Sequence, residues 1–245
     1  MRRKEFAARV WSKLMAFEKG RGLLPAGRRV LAAVSGGPDS VVLAHWLSVQ
    51  ARRKGLTVAL LHVNHGLRGK AAERDAEFVR RLGARLGLRV AVVRADVAGR
   101  ARKDGLGLEE AGRKERYRAL LARARRGRFD AVATGHQLDD QAETLLLHLL
   151  RGTSLEGLGG IPPRRPLAPG VELIRPLLPL SRAEIMAYLE VHGLEWRDDR
   201  SNRDAKFTRN WVRRDVLPLL EARAPGFKDR LSEIAAKVRA ATGRA

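Results

Sequence analysis

Apolar residues alternate along the chain between short continuous runs and longer stretches with helical spacing. In the stretches, apolar side chains recur three or four residues apart, as on the buried face of an amphipathic helix. The runs that predict buried strands are residues 30–34, 56–63, 89–93 and 131–134. The stretches that predict helices are residues 4–19, 39–53, 72–86, 109–125 and 139–150. Strands that alternate with helices build a parallel sheet with helices on both faces, so the sequence predicts a Rossmann-like α/β fold.

Two segments interrupt this alternation. A glycine-rich turn is expected after residue 93, and residues 151–170, rich in glycine and proline, lack periodicity and predict a long loop. Beyond that loop, Leu173 and Ile174 predict an edge strand.

The last part of the chain predicts further helices. Ser181 is followed three residues later by Glu184, a capping-box pattern that predicts a helix through Leu189. The final helical segments are residues 216–221 and 227–239.

Length and composition favour one large domain with a small appendage. The 245 residues are long for one domain and short for two, and 44% of them are hydrophobic, enough for a sizeable core. We expect an N-terminal helix over residues 1–27, the α/β domain over residues 28–215 and a helical C-terminal extension over residues 216–245. No apolar run approaches the roughly 18 residues of a membrane span and no signal-peptide core is present, so we expect a soluble protein.

The amino-acid composition also restricts chemistry and partners. The chain contains no cysteine, which excludes disulfides, cysteine-ligated metals and persulfide relays within it and favours a cytoplasmic location. A total of 49 Lys and Arg against 27 Asp and Glu gives a net charge of +22, which attracts polyanions and makes nucleic acid the first candidate partner. The alternative is a generally arginine-rich composition, in which residues 123–128 are only a solvated helix end.

The segment SGGPDS, residues 35–40, lies where the first predicted strand passes into a helix. Glycines let backbone N–H groups approach oxygens closely, and the helix N-terminus adds partial positive charge, so the segment favours phosphate binding. Asp39 beside a polyphosphate would be repulsive without a cation, which indicates Mg²⁺. The segment lacks the lysine of a P-loop and matches the fingerprint of PP-loop pyrophosphatases, which split ATP between its α and β phosphates. The alternative is an Asp–Ser helix cap after a glycine turn.

Two acids lie on one face of the helix after the fourth predicted strand. Asp140 and Glu143 are three residues apart, and their helix begins at the same edge of the sheet as the phosphate segment. They could hold Mg²⁺ or receive an ammonium group. The alternative is an acidic first turn that the helix dipole favours.

Basic side chains with aromatic neighbours suggest where RNA binds. Arg113 and Arg116 are three apart on a predicted helix, which sets two guanidinium groups side by side, an arrangement that suits a phosphate. Near the C-terminus, basic residues surround Phe207 and Trp211, a mixture that suits single-stranded RNA. The alternative is a core helix with a basic outer face, and for Trp211 this alternative is favoured.

Further motifs follow in order along the chain. They are HVNHGLR at residues 62–68, EAGR at 110–113 with Arg116 and Tyr117, GHQLDDQAET at 135–144, RG at 151–152, GL at 157–158, RPL at 175–177, DRSN at 199–202 and RN at 209–210. Together with SGGPDS, this ordered set strongly resembles the tRNA(Ile)-lysidine synthetase family, from about residue 28 to 220.

The resemblance implies a PP-loop fold, similar to adenine nucleotide alpha hydrolases, and a specific reaction. ATP would adenylate the C2 carbonyl oxygen of the wobble cytidine in tRNA(Ile) with a CAU anticodon, and the ε-amine of L-lysine would then displace AMP. The expected ligands are therefore ATP, Mg²⁺, L-lysine and this tRNA.

The site residues that the resemblance implies fall into three sets. The catalytic set is Asp39, Asp140, Glu143 and His136, of which Asp39, Asp140 and Glu143 would also hold the metal. The nucleotide-binding set is Ser35, Gly36, Gly37, Pro38, Asp39, Ser40, His62 and Asn64. The RNA-binding set is Arg68, Arg113, Arg116, Arg209, Asn210 and Arg213.

Two other functions would fit parts of this pattern, and the sequence differs from the usual family pattern in three respects. A PP-loop tRNA sulfurtransferase would share SGGPDS but should need cysteines, and a catalytically inactive RNA-binding relative would not need its intact acids. Gln137 stands where many members have histidine or asparagine, and Gly112 replaces a usual alanine. The extra C-terminal domains of many members are expected to be absent, so either the basic surface suffices for tRNA or a second copy in a homodimer supplies the rest.

Overall fold

The computed structural model describes residues 2–66, 69–197 and 208–243. Its α-helices are α1 (Arg2–Arg21), α2 (Pro38–Lys54), α3 (Lys70–Leu86), α4 (Val97–Asp104), α5 (Leu108–Arg126), α6 (Leu138–Leu150), α7 (Arg182–Val191), α8 (Thr208–Trp211), α9 (Leu217–Arg223) and α10 (Phe227–Ala241). Its strands are β1 (Arg29–Ala33), β2 (Thr57–Asn64), β3 (Arg89–Arg94), β4 (Ala131–Ala133), β5 (Arg164–Ala168) and β6 (Val171–Ile174). A 3-10 helix covers Leu155–Gly159 and a π-helix covers Val212–Val216.

The six strands form one sheet in the order β3-β2-β1-β4-β6-β5. All neighbours are parallel except β5, which runs antiparallel to β6. Strand β1 is flanked by β2 on one side and β4 on the other, so the order of strands reverses at β1. In open α/β sheets, ligands bind at the carboxyl ends of the strands beside such a reversal. The topology therefore directs attention to the loops that follow β1 and β4.

Helices cover both faces of the sheet, as the sequence predicts. Alternate residues of a strand point to opposite faces, and in β1 Val30 and Ala32 belong to one core while Leu31 belongs to the other. The first core is formed with α1, α2, α3 and α7, and it buries Trp46 completely. The second is formed mainly with α5, from which Leu120 is fully buried.

Three expectations about irregular segments are wrong. The segment after β3 is not only a turn, because Val97–Asp104 forms α4, capped by the side chain of Asp96, which accepts a hydrogen bond from the N–H of Gly99. The predicted long loop contains the 3-10 helix and strand β5. Strand β6 is not an edge strand, because β5 pairs with its outer side.

The C-terminal helices pack against α6. Val212 and Leu217 join Ala142 and Leu147 of α6 in a small buried cluster, against which Phe227 packs. The capping box of α7 is confirmed, since Ser181 N–H donates to Glu184 Oε2 at 2.7 Å and Glu184 N–H donates to Ser181 Oγ at 3.2 Å. In the described ranges, no helix is both long enough and apolar enough to cross a lipid bilayer.

Candidate functional site

The segment SGGPDS forms a tight loop between β1 and α2. Gly36 has a φ of +97°, which residues other than glycine rarely adopt. Pro38 occupies the first turn of α2. Ser40 Oγ accepts from Gly36 N–H at 3.1 Å and donates to Gly37 O at 2.8 Å. Ser35 Oγ accepts from Gly37 N–H at 3.3 Å. The two serines thus hold the loop in shape at the positive end of a helix, where anions bind favourably.

We call residues 35–40 the phosphate loop, and the loop after β4 lies directly against it. A Cβ atom placed on Gly135 would lie only 3.1 Å from the carbonyl carbon of Asp39. A side chain at position 135 would therefore push the two loops apart. Gly135 allows the start of α6, with its acids, to approach the start of α2.

Asp39 is paired with an arginine that the sequence analysis did not single out. Arg182, the first residue of α7, donates from Nη1 to both carboxylate oxygens of Asp39, each at 3.1 Å. Burial raises the pKa of Asp39 above its ordinary value, although the positive charge of Arg182 acts in the opposite direction. No sequence pattern connects these two residues, which are 143 positions apart.

Glu143 forms the buried centre of a second group of charges. Its side chain has no exposed surface, and its oxygens accept from Arg209 Nε at 2.9 Å and from Arg213 Nε at 2.5 Å. Both arginines also reach Asp140 Oδ1, each at 3.5 Å. The α8 and π-helical segments are therefore tied to α6 through charge-assisted hydrogen bonds.

Asp140 differs from Glu143 in its surroundings. One oxygen accepts from Gln137 N–H at 3.0 Å in the capping box of α6, while the other, among the residues that the structure describes, has only the long arginine contacts. Burial, and next the negative charge of Glu143, raise the pKa of Asp140 to about 6. Asp39 acts in the same direction, so the phosphate loop and α6 share one electrostatic environment.

His136 lies in the loop after β4 and is half-buried. Its Nδ1 is 2.9 Å from Thr134 Oγ1, which orients the ring. Burial, together with the nearby charges of Arg175, Arg116 and Arg113, lowers the pKa of His136 well below its usual range. The imidazole is therefore neutral at physiological pH.

The predicted residues on β2 make contacts inside the protein. His62 is buried and its Nδ1 is 2.9 Å from Val34 O. Asn64 donates to Glu73 Oε1 at 3.1 Å and accepts from Gly66 N–H at 2.9 Å. These contacts fix the carboxyl end of β2, and nucleotide binding by His62 and Asn64 stays a prediction.

The predicted RNA-binding residues are only partly brought together. Arg113 is exposed on α5, with its guanidinium 5.3 Å from the ring centre of Tyr117. Arg209 and Arg213 contact acids of α6, and Asn210 lies between them on α8. Arg68, Phe207 and the DRSN motif at residues 199–202 lie outside the described residues. The expectation that Trp211 belongs to the core is wrong, since 46% of it is exposed.

Comparison with known proteins identifies the family. The sequence profile of the PP-loop domain matches residues 8–220. The chain belongs to the PP-loop domain family. Its relatives include proteins named tRNA(Ile)-lysidine synthase, from Dehalococcoides mccartyi (40% identical, covering 89% of this chain and 47% of the relative) and Symbiobacterium thermophilum (44% identical, covering 82% and 42%). The chain thus spans about half the length of these curated relatives.

A solved structure supports the PP-loop fold. The U34-tRNA thiolase NcsA from Methanococcus maripaludis, solved with its [4Fe-4S] cluster, superposes with a TM-score of 0.80 over 96% of this chain and 79% of its own. The two sequences are only 21% identical, so this likeness concerns the fold alone.

The acids of this PP-loop domain differ in their fitness to hold a metal. In the described part of the chain, no group of three or more His, Asp and Glu side chains is arranged to hold a metal ion. Both oxygens of Glu143 are engaged by arginines and are shielded from solvent. Asp39 and Asp140 fit better, because part of each side chain is still open to solvent and could be reached by an ion. Partial burial also makes their negative charge unfavourable, and a bound cation would compensate it.

Proposed function

We propose that this PP-loop domain is the catalytic part of a tRNA(Ile)-lysidine synthase. It would use ATP to join L-lysine to C2 of the wobble cytidine in tRNA(Ile) with a CAU anticodon, releasing AMP and pyrophosphate. The observation that carries the proposal is the 40–44% identity to proteins of that name over more than four fifths of the chain. The placement of the phosphate loop beside the acids of α6 supports it.

In the first step, the phosphate loop holds ATP while the tRNA attacks it. Backbone N–H groups at the start of α2 and the positive end of that helix bind the β and γ phosphates. The C2 carbonyl oxygen of cytidine attacks the α phosphorus, and the bond to the bridging oxygen breaks as pyrophosphate leaves. His136, neutral and oriented by Thr134, would contact the base.

Mg²⁺, when bound, would neutralise the β and γ phosphates, and Asp39 and Asp140 are the residues that would hold it. Glu143 would instead keep Arg209 and Arg213 in place at the edge of the site.

In the second step, lysine replaces AMP on the activated base. The ε-ammonium must lose a proton before its nitrogen can attack C2. After pyrophosphate has left, Asp140 would receive that ammonium, and its raised pKa would suit it to accept the proton. The C2–O bond then breaks and AMP departs with the oxygen.

The test is to incubate the protein with ATP, Mg²⁺, labelled lysine and a tRNA(Ile) transcript with a CAU anticodon. Label should appear in this RNA and not in a methionine tRNA with the same anticodon. Pyrophosphate release without label would favour another nucleophile, such as the sulfur of a PP-loop thiolation enzyme. Absence of both would favour an inactive RNA-binding relative.

Location and assembly are part of the proposal. ATP, lysine and tRNA meet in the cytoplasm, which is where we place the reaction. The homodimer stays a prediction, which light scattering of the purified chain would test.

A further inference from the structure

The start of α7 is fixed to the start of α6. The backbone N–H of Arg182 donates to Asp139 Oδ2 at 2.8 Å. The other oxygen of Asp139 accepts from Lys228 Nζ of α10, also at 2.8 Å. Because Asp139 is held on both sides, the backbone of Arg182 has a defined position beside the phosphate loop.

The side chain of Arg182 is much less constrained than its backbone. It is 45% exposed, and a single nitrogen, Nη1, makes both contacts with Asp39. Among the residues that the structure describes, Nε and Nη2 have no hydrogen-bond partner. A partly exposed pair held by one nitrogen is weak, and it leaves most of the guanidinium donors unused.

These features matter because Asp39 lies within the phosphate loop itself. A guanidinium that reaches the carboxylate of Asp39 is also within reach of oxygens bound at the start of α2. Arginine suits such oxygens because its planar fork can donate two parallel hydrogen bonds to one phosphate group.

We propose that Arg182 is the pyrophosphate ligand of the site, an inference that rests on the proposed function. Arg182 turns from Asp39 to the β and γ phosphates of ATP and donates to them through Nε and Nη2. As the bond between the α phosphorus and its bridging oxygen breaks, the electron pair leaves with pyrophosphate, and Arg182 stabilises the added negative charge. No proton is transferred by the arginine. The same movement frees the carboxylate of Asp39 for the cation proposed there.

Binding of inorganic pyrophosphate tests this role without any turnover. Calorimetric titration, with and without Mg²⁺, would compare the wild-type chain with Arg182→Gln and Arg182→Lys. The matched control is Arg53→Gln, which removes one charge from an exposed residue in the last turn of α2. That position is roughly 21 Å along the helix from Asp39, at about 1.5 Å per residue.

We expect Arg182→Gln to weaken pyrophosphate binding about tenfold or more, both with and without Mg²⁺. Arg182→Lys should retain part of the affinity, since it keeps the charge and loses the fork, and Arg53→Gln should bind as the wild type does. In single-turnover adenylation, Arg182→Gln should lower the rate at saturating ATP and not only the affinity for ATP.

Two outcomes would overturn the inference in different ways. If Arg182→Gln binds pyrophosphate within twofold of wild type, Arg182 only neutralises Asp39, and the proposed function is untouched. If the folded wild-type chain binds no pyrophosphate, the assignment of the phosphate loop fails, and the role of Arg182 fails with it.

Discussion

Arg213 donates to both carboxylate oxygens of Glu143, from Nε at 2.5 Å and from Nη2 at 3.0 Å. The acid is fully buried in α6, whereas 44% of the arginine side chain is exposed in the π-helix. π-Helical turns are rare and occur often at functional sites. This one places Arg213 over the acids of the proposed site, so the C-terminal segment contributes to the site as well as to the surface.

Arg213→Ala is therefore expected to reduce the free energy of unfolding by about 1–3 kcal/mol, because a buried carboxylate loses one of its two partners. Urea unfolding would measure the change. The control is Arg214→Ala, since Arg214 is exposed and adjacent, and its loss should change stability by no more than about 0.5 kcal/mol. Equal effects of the two substitutions would show that Glu143 does not depend on Arg213.

Asp39→Asn is expected to abolish adenylation while the fold remains intact. The amide keeps the size of the side chain but loses the charge that attracts both Arg182 and the proposed cation. Release of pyrophosphate from ATP in the presence of tRNA would measure the loss. Asp229→Asn, at an acid 57% exposed on α10, should release pyrophosphate at the wild-type rate. Normal turnover by Asp39→Asn would remove Asp39 from the site.

Asp140 should make stability depend on pH. Its pKa is about 6 in the folded chain against an ordinary value of 3.8, so folding favours its protonated form. That stabilisation is fully present below about pH 4 and is lost as the pH rises through about 6. Without Mg²⁺, Asp140→Asn should therefore gain about 3 kcal/mol relative to wild type between pH 4 and pH 7. Urea unfolding at several pH values would check this, and a constant difference between the two proteins would contradict it.

His136 should remain neutral across the physiological range. Burial and the surrounding arginines lower its pKa, so its ring signals should not shift between pH 5 and pH 8. Proton NMR would follow the six histidines of the chain, with His136→Gln to assign the signal. In urea-unfolded protein the same residue should titrate near its ordinary value of 6.5. A folded-state midpoint near neutrality would disprove the proposed environment.

The regular part of the fold was predictable from periodicity. The βα alternation, the helices on both faces and the capping box at Ser181 all depend on patterns within a few residues of each other. Helix α4 was missed because it has only eight residues, contains Gly99 and has few apolar positions. Strand β5 was missed because Arg164, Arg165 and Pro166 are poor strand formers outside a sheet edge.

The candidate site, too, was predictable from the sequence only in part. The phosphate loop and the pair of acids on α6 could be found because each is a local motif. The contacts of Arg182 with Asp39, and of Arg209 and Arg213 with Glu143, join residues from 66 to 143 positions apart. Only the folded chain brings these charges together.

The order of the strands also bears on whether the sheet can grow by pairing its edges with another chain. The outermost strands are β3 and β5, and an open strand edge invites pairing with another chain. Strand β3 begins and ends with arginine, at Arg89 and Arg94, while β5 carries two arginines and a proline. Repulsion between like charges makes both edges poor templates for fibril growth, and in β5 the proline also removes an N–H donor. Part of the large positive charge therefore lies on the two sheet edges, where it disfavours aggregation whether or not nucleic acid is bound.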